Sequence, residues 1–207
     1  VTANSWIVST RGRCSVPDTH VIITCEHGGN DVPPEYADIF RGQQAILDSH
    51  RGWDPSALDA ARHMAGTLDT PLIANTVTRL LVDCNRSIGN RGLFSTVTRG
   101  LSPGEKESIL ERYYHPYRSR VESAVQTSVS AGNRVLHLSI HTFTPVMDGV
   151  IRSADIGLLY DPSREGETRF ANGLKAHLGI SLPVMRVRRN YPYRGVADGF
   201  ATHLRKR

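Results

Sequence analysis

The chain has 207 residues, 39% hydrophobic and 22% charged, with 25 Lys and Arg against 20 Asp and Glu for a net charge of +5. That length suits a single domain, read as one unit over 1–207, with room for a real core. No run approaches the roughly 18 apolar residues of a membrane helix, aromatics and aliphatics are too plentiful for disorder, and residues 1–13 lack the basic-then-apolar layout of a secretory signal.

HVIITC (20–25) is a short β-branched run ending in Glu26-His27-Gly28-Gly29, the pattern of a buried strand entering a tight loop. Pro33-Pro34 opens a short helix over 35–40. Asp54-Pro55 has the form of a helix N-cap followed by Pro at the first helical position. Ala57, Leu58, Ala61, Met64, Ala65 and Leu68 follow at helical spacing. Strands are expected at 71–75 and at 79–84 (RLLVDC). Residues 85–104 are rich in Gly, Arg, Ser and Thr and show no period, so they form a long loop, and long loops in compact domains are more often functional than idle. The longest helix is expected over 105–129, opened by Ser102-Pro103. RVLHLSI (134–140) is a third strong strand, ending at His141. Further strands are expected at 156–160 and 182–187, with helices over 165–178 and 197–207. Strands alternating with helices from end to end argue for a three-layer α/β/α domain around a mainly parallel (mixed) sheet.

Only Lys106, Lys175 and Lys206 are lysine, so 22 of the 25 bases are arginine. Arginine offers a planar fork that grips carboxylate or phosphate with two hydrogen bonds. A basic chain can bind nucleic acid, but these bases are spread over the whole chain between acids, which favours no nucleic-acid partner. The cysteines, Cys14, Cys25 and Cys84, include no CxxC pair, so a cysteine-rich zinc site is excluded. Cys25 and Cys84 sit in apolar runs and read as buried, inert thiols, in keeping with a reducing cytoplasm.

In open α/β sheets ligands collect at the carboxyl ends of the strands. Glu26, His27, Gly28, Gly29 and Asn30 follow the first strand, Asn85 and Arg86 follow RLLVDC, and His141 and Thr142 follow RVLHLSI. Neutral imidazoles bind Zn²⁺ well, and a catalytic zinc takes three protein ligands plus water. The candidates for a third ligand beside His27 and His141 are Asp54, Asp48, Glu26 and Asp31. Asp54 competes for the role of helix cap. An Asn-Arg pair just past a sheet, Asn85-Arg86, suits either a substrate carboxylate or a solvated loop, and Arg79 is placed to pair with Asp83 or an inter-strand acid. Arg188, Arg189 and Arg194 around Tyr191-Pro192-Tyr193 form a basic-aromatic loop that suits either the wall of an anion pocket or a solvated turn. No GxGxxG, GxxxxGK[ST], GxSxG or HExxH is present, against dinucleotide, P-loop, lipase-type and zincin chemistry.

The pieces CEHGGNDVP (25–33), DSHRGWDPSALDAA (48–61), TRLLVDCNRS (78–87), FSTVTRGL (94–101), YYHPYR (113–118), SIHTFTP (139–145) and RRNYPYRG (188–195) together resemble the N-formylglutamate amidohydrolase family, in the family's order. The resemblance implies a fold similar to zinc carboxypeptidases and succinylglutamate desuccinylases, a phosphorylase/hydrolase-like architecture. It implies Zn²⁺ held by His27, His141 and a carboxylate, for which Asp54 stands in because Asn30 occupies the position three after the first His. It implies that Asn85-Arg86 grips the substrate carboxylate, with Arg51 and Arg189 as further substrate-binding candidates. Relatives continue into a final strand carrying a glutamate base, whereas this sequence stops at Arg207; either that segment is absent from this sequence or the base is elsewhere, and within residues 1–207 Glu26 is the nearest alternative acid and the expected catalytic residue. The expected reaction is zinc-assisted hydrolysis of the amide of an N-acyl amino acid such as N-formyl-L-glutamate. The alternative is a non-catalytic binder of small anions on the same scaffold. Neither the sequence nor the resemblance fixes an oligomeric state.

Overall fold

A computed structural model describes residues 18–147 and 149–206. The expectations for residues 1–13, for Cys14 and for Arg207 lie outside the described residues.

The frame is a parallel three-stranded sheet in the order β2-β1-β3, made of β1 (Thr19–Cys25), β2 (Leu72–Ala74) and β3 (Arg134–Ser139). Ile23 stands opposite Leu72 and Cys25 opposite Ala74, while Thr19 to Thr24 run beside Arg134 to Ser139. Side chains of a strand alternate between faces; here one face is apolar and the other is mixed, with Thr24, His137 and Ser139 beside Ile22 and Ile73. Ile23, Cys25, Leu72 and Ala74 pack against Ala57, Ala61 and Ala65 of α2 (Ala57–Leu68). Ile73, from the other face, joins Tyr117 and Val121 of α4 (His115–Ser130) in the larger core cluster. A parallel sheet buried on both faces reads as continuous β-branched runs, which is how HVIITC and RVLHLSI stood out.

The rest of the chain hangs on this frame. A 3₁₀ turn (Pro34–Phe40) and the short α1 (Gln44–Leu47) follow β1. The expected helix over 105–129 is one helical run in three parts: α3 (Pro103–Ile109), a π turn (Leu110–Tyr114) and α4. A capping box between Ser102 and Glu105 starts it. Beyond β3 come an antiparallel pair, β4 (Val146–Met147) with β5 (Val150–Ile151), and a parallel pair, β6 (Ile156–Leu158) with β7 (Val187–Arg189). Between β6 and β7 runs α5 (Glu165–Ser181), and α6 (Phe200–Leu204) follows β7. Among the described residues no helix is long and apolar enough to cross a membrane.

Three expectations need correction. RLLVDC is not a strand. Residues 80 to 84 are buried on all sides, and their backbone is satisfied by loop partners: Thr98 Oγ1 donates to the carbonyls of Leu80 and Leu81, and Asp83 N donates to Leu93 O. A continuous apolar run reports all-round burial and does not by itself distinguish strand from buried coil. The strand expected at 182–187 begins only at Val187, and the β4–β5 hairpin was not expected. The strands also do not merge into one ladder, because β6–β7 pairs separately from β1–β3.

Candidate active site

The carboxyl ends of β1 and β3 are neighbours, so Glu26-His27 and His141 arrive side by side; Ile140 N still donates to Thr24 O at 2.9 Å. Gly28 and Gly29 let the chain leave β1 hard against residues 75 and 76. A Cβ on Gly29 would lie 2.6 Å from Thr76 O. Asp54 is tied to the same edge by its amide, which donates to His27 O at 2.9 Å.

The helix-cap role for Asp54 is corrected by this placement. Ser56, at φ 64°, occupies the cap position, and Asp54 offers α2 only its backbone carbonyl, which accepts from Ala57 N. The Asp54 carboxylate turns inward instead. Its Oδ2 lies 2.8 Å from His141 Nδ1 and 3.5 Å from His27 Nδ1, and its Oδ1 lies 3.5 Å from Arg79 Nη1. His27, Asp54 and His141 bring three donor atoms within 4.8 Å of one another.

Each imidazole meets a carboxylate at Nε2. His27 Nε2 meets Asp83 Oδ1 at 2.7 Å, and His141 Nε2 meets Glu26 Oε2 at 3.1 Å. At His27 the carboxylate at Nε2 keeps the proton there and leaves the Nδ1 lone pair free, whereas His141 Nδ1 is engaged by Asp54 Oδ2 at 2.8 Å. His27 Nδ1 is indeed buried without a hydrogen-bond partner. A buried lone pair with no donor beside it costs free energy unless something positive meets it. Two imidazole nitrogens and one carboxylate oxygen, backed by outer carboxylates, are the donor set of a catalytic zinc. The residues present therefore fit a divalent metal. Of the other third-ligand candidates, Asp48 accepts from Asn30 and Gln44, and Asp31 is exposed.

The charges follow this packing. Burial alone would raise the carboxyls of Glu26, Asp54 and Asp83, but hydrogen bonds and charges from His141, His27 and Arg79 outweigh it and hold all three below the usual range. Burial alone would lower His141, but its bonds to Asp54 and Glu26 lift it to about 10. Arg79, the His141 imidazolium and, at 3.9 Å from Asp83 Oδ2, Arg86 Nε are positive groups facing three buried carboxylates, and a divalent cation at His27, Asp54 and His141 would substitute for the imidazolium proton. The Cys25 thiol is pushed up to about 12, chiefly by burial and then by Glu26; Cys84 is raised too, and both are free and buried. The inert reading of these two thiols holds.

Asp83 also lines a cleft of about 410 Å³ into which Arg51, Arg79, Arg86, Arg91 and Arg99 project. Arg79 Nη2 bonds Asp83 Oδ2 at 2.7 Å, as its position suggested. Arg86 Nη1 donates to Asp198 O at 2.8 Å, and its side chain remains 36% exposed. Asn85 donates its amide to Asp83 Oδ1 at 2.9 Å, and its Nδ2 lies 3.4 Å from His141 Nε2. A larger hollow of about 550 Å³, between Arg134 and α5, is lined by no acid and gathers no chemistry.

Of the other expected site residues, Arg189 stands away from the cleft and Glu26 stands at the site, behind His141. Arg189 lies on β7, where its guanidinium donates to Asn172 Oδ1 on α5, and it is absent from the cleft. Glu26 is fully buried behind His141, with Oε1 accepting from Tyr117 and Oε2 from Ser139. Neither oxygen is placed to take a proton from water in the cleft. Sequence reasoning missed Asp83 as a partner of His27, because 56 residues separate them. It also missed Tyr114, Tyr117 and Asp198, although YYHPYR was among the motifs quoted.

A parallel α/β sheet with a His-Asp-His cluster and an arginine-lined cleft at its carboxyl edge defines a small-molecule site of the hydrolase type. The N-formylglutamate amidohydrolase family matches over residues 19–206, and the chain belongs to it. That family name indicates an amidohydrolase. The fold is similar to the crystal structure of gene product Atu2144 from Agrobacterium tumefaciens, with a TM-score of 0.79 and 28% identity, covering 91% of this chain and 75% of that one. No curated protein matches.

Proposed function

We propose that this chain hydrolyses the amide of an N-acyl amino acid such as N-formyl-L-glutamate, with Zn²⁺ held by His27, Asp54 and His141, to give a carboxylate and a free amino acid. The observation that carries the proposal is the buried His27 Nδ1, which has no hydrogen-bond partner and faces Asp54 Oδ2 at 3.5 Å, beside the His141 imidazole that Asp54 and Glu26 hold between them. A zinc ion bound there would supply Lewis-acid polarisation of the acyl carbonyl and would acidify the attacking water.

The protein's own groups divide the remaining work. Asp83 and Glu26 fix the tautomers of His27 and His141, which makes Glu26 a positioning residue in place of the expected base. Arg86, with Asn85 beside it, grips the α-carboxylate of the amino-acid half. Arg51 contributes to the positive field of the cleft. We further read residues 1–207 as one three-layer, phosphorylase/hydrolase-like domain working in the cytoplasm: α2 and α4 lie against opposite faces of the β1–β3 sheet.

The test is metal content by elemental analysis together with release of glutamate from N-formyl-L-glutamate. About one Zn²⁺ per chain and turnover that stops with a chelator are expected. Turnover undiminished by complete metal removal would falsify the reading. One observation favours the alternative of a non-catalytic anion binder: Glu26, Asp54 and Asp83 are all engaged by neighbouring side chains. Zinc-loaded protein that binds glutamate but releases none from the substrate would decide for it.

A further inference from the structure

The motif YYHPYR (113–118) takes no part in the chemistry proposed above, yet it touches both halves of the site. It straddles the junction between the π turn Leu110–Tyr114 and α4. Ile109 and Tyr114, five residues apart, are both buried. Five residues carry an α-helix about 1.4 turns round; the wider π turn between them, in which Leu110 is buried as well, brings Ile109 and Tyr114 closer to one face. From there Tyr117, Arg118 and Val121 continue the buried face at α spacing. Tyr113 is turned outward, where its hydroxyl donates to Glu35 Oε1 at 2.6 Å.

The inward residues serve two different partners. Tyr117 Oη donates to Glu26 Oε1 at 2.9 Å, and the other oxygen of Glu26 meets His141 Nε2 at 3.1 Å. Burial first, and the Glu26 charge second, hold the Tyr117 phenol well above its ordinary value, so it remains a donor. Tyr114 Oη donates to the Arg86 carbonyl at 2.8 Å. Arg118 Nη1 donates to that same carbonyl at 3.3 Å and to Cys84 O at 3.2 Å. The Arg118 guanidinium is itself fixed over the Phe200 ring, 4.1 Å from its centre. Phe200 in turn donates its amide to Asn85 Oδ1 at 2.7 Å.

We propose that Tyr117 and the Tyr114–Arg118 pair are positioning residues on one rigid helical segment: Tyr117, through Glu26, aims the His141 imidazole, while Tyr114 and Arg118, through the Arg86 carbonyl, hold Asn85-Arg86 over the cleft. The inference rests on the functional reading above. Its consequence is geometric. A single helix sets the spacing between a metal-binding histidine and the carboxylate-binding arginine, which is the spacing between the scissile carbonyl and the α-carboxylate of the substrate. Misplacement by about 1 Å across such a span costs on the order of 10²-fold in rate.

Tyr117→Phe and Tyr114→Phe each remove one hydroxyl and leave the packing in place. Zinc affinity is read by competition with a chromophoric chelator, L-glutamate binding to the zinc-saturated protein by calorimetry, and folding by thermal melting. Tyr117→Phe is expected to weaken zinc roughly 3–10-fold, less than the ~10–100-fold of a group bonded directly to a ligand because Tyr117 acts through Glu26, with glutamate affinity unchanged once zinc is saturating. Tyr114→Phe is expected to leave zinc affinity at the wild-type value and to weaken glutamate roughly 3–10-fold, the size of one neutral hydrogen bond. A purely structural role would lower the melting temperature of both variants without this crossed pattern. Equal shifts in both affinities, or no shift in either, would overturn the inference. A wild-type protein that takes up no zinc or no glutamate removes the functional reading, and this inference with it.

Discussion

Asp83 stands on the boundary between two differently built regions. On one side, His27 and Asp54 have side chains only 2% and 5% exposed, and nearly every polar atom among Glu26, Asp54, Asp83 and His141 has a named partner. On the other side, Arg51, Arg91 and Arg99 face the cleft from exposed loop positions. The first region gains from low dielectric: its charges are strong because water is excluded, and each lost partner leaves a buried charge unmet. The second keeps its charges in water, where they attract an anion at long range but hold it weakly. Arg86 belongs to both, being half-buried with one nitrogen fixed on Asp198 O. The two regions should therefore respond to substitution with different magnitudes and different salt dependence.

The largest effects belong to the buried centre. His27→Ala, Asp54→Ala and His141→Ala should each abolish zinc uptake, measured by elemental analysis after dialysis, and turnover with it. His27→Ala also leaves Asp83 with one partner fewer, so its melting temperature should fall further than that of His141→Ala, whose ring is 29% exposed. A variant with full zinc and full activity identifies a residue that is no ligand. Next comes Arg86→Lys, in which an ammonium replaces the fork. The expected loss is about 2–3 kcal/mol in kcat/KM, a charge-assisted hydrogen bond. An α-amidated substrate should lose a similar amount with the wild type and little more with the variant. Additive losses would show that Arg86 and the carboxylate never meet.

Gly52 tests whether the regions are mechanically separate. Arg51 just before it and Asp54 two residues after it point into different halves, and its carbonyl accepts from Thr78 Oγ1 and Arg79 N, both at 3.0 Å. A Cβ there would lie 2.1 Å from Leu47 O, a backbone atom that cannot swing aside. Gly52→Ala should cost about 1–3 kcal/mol of stability, read as a fall in melting temperature. Zinc and glutamate affinity should fall together, because the segment that shifts carries both Arg51 and Asp54. A change in only one would show that the regions move independently.

The sequence disclosed the frame and the two histidines at its edge more readily than the contacts behind them. His27 and His141 could be paired because each ends an apolar strand, and parallel strands deliver their ends to one edge. Asp54 emerged only as one of several acids, since a capping Asp before Pro and a ligand Asp look alike in sequence; Ser56 at positive φ is the local detail that separates them. Arg189 was drawn in by its aromatic neighbours, but its strand points it at α5. Glu26 looked like the available base because it is the acid next to His27 in sequence, whereas strand alternation sends it to the face covered by Tyr117. Outer partners such as Asp83 and Tyr117 depend on contacts across 56 and 91 residues, which periodicity does not encode.

The smallest effects belong to the cleft rim, and they sharpen the comparison through salt. Arg91 and Arg99 are exposed, so each should contribute only about 0.2–1 kcal/mol to substrate capture. Arg91→Ala and Arg99→Ala should raise KM a few-fold at low ionic strength and leave kcat unchanged, because a charge in water acts on approach more than on the bound state. Raising ionic strength from about 0.1 M to 1 M shortens the screening length from about 10 Å to 3 Å, and the difference from wild type should then vanish. Arg91→Lys and Arg99→Lys should behave as wild type throughout, since a distant point charge suffices. Arg86→Lys should stay impaired at every salt concentration, because what it loses is the fork's geometry beside a buried carboxylate. Rim variants as costly as Arg86→Lys, or equally costly at 1 M salt, would mean that Arg91 and Arg99 close directly onto the bound anion, and the distinction between a buried centre and a solvated rim would fail at these two positions.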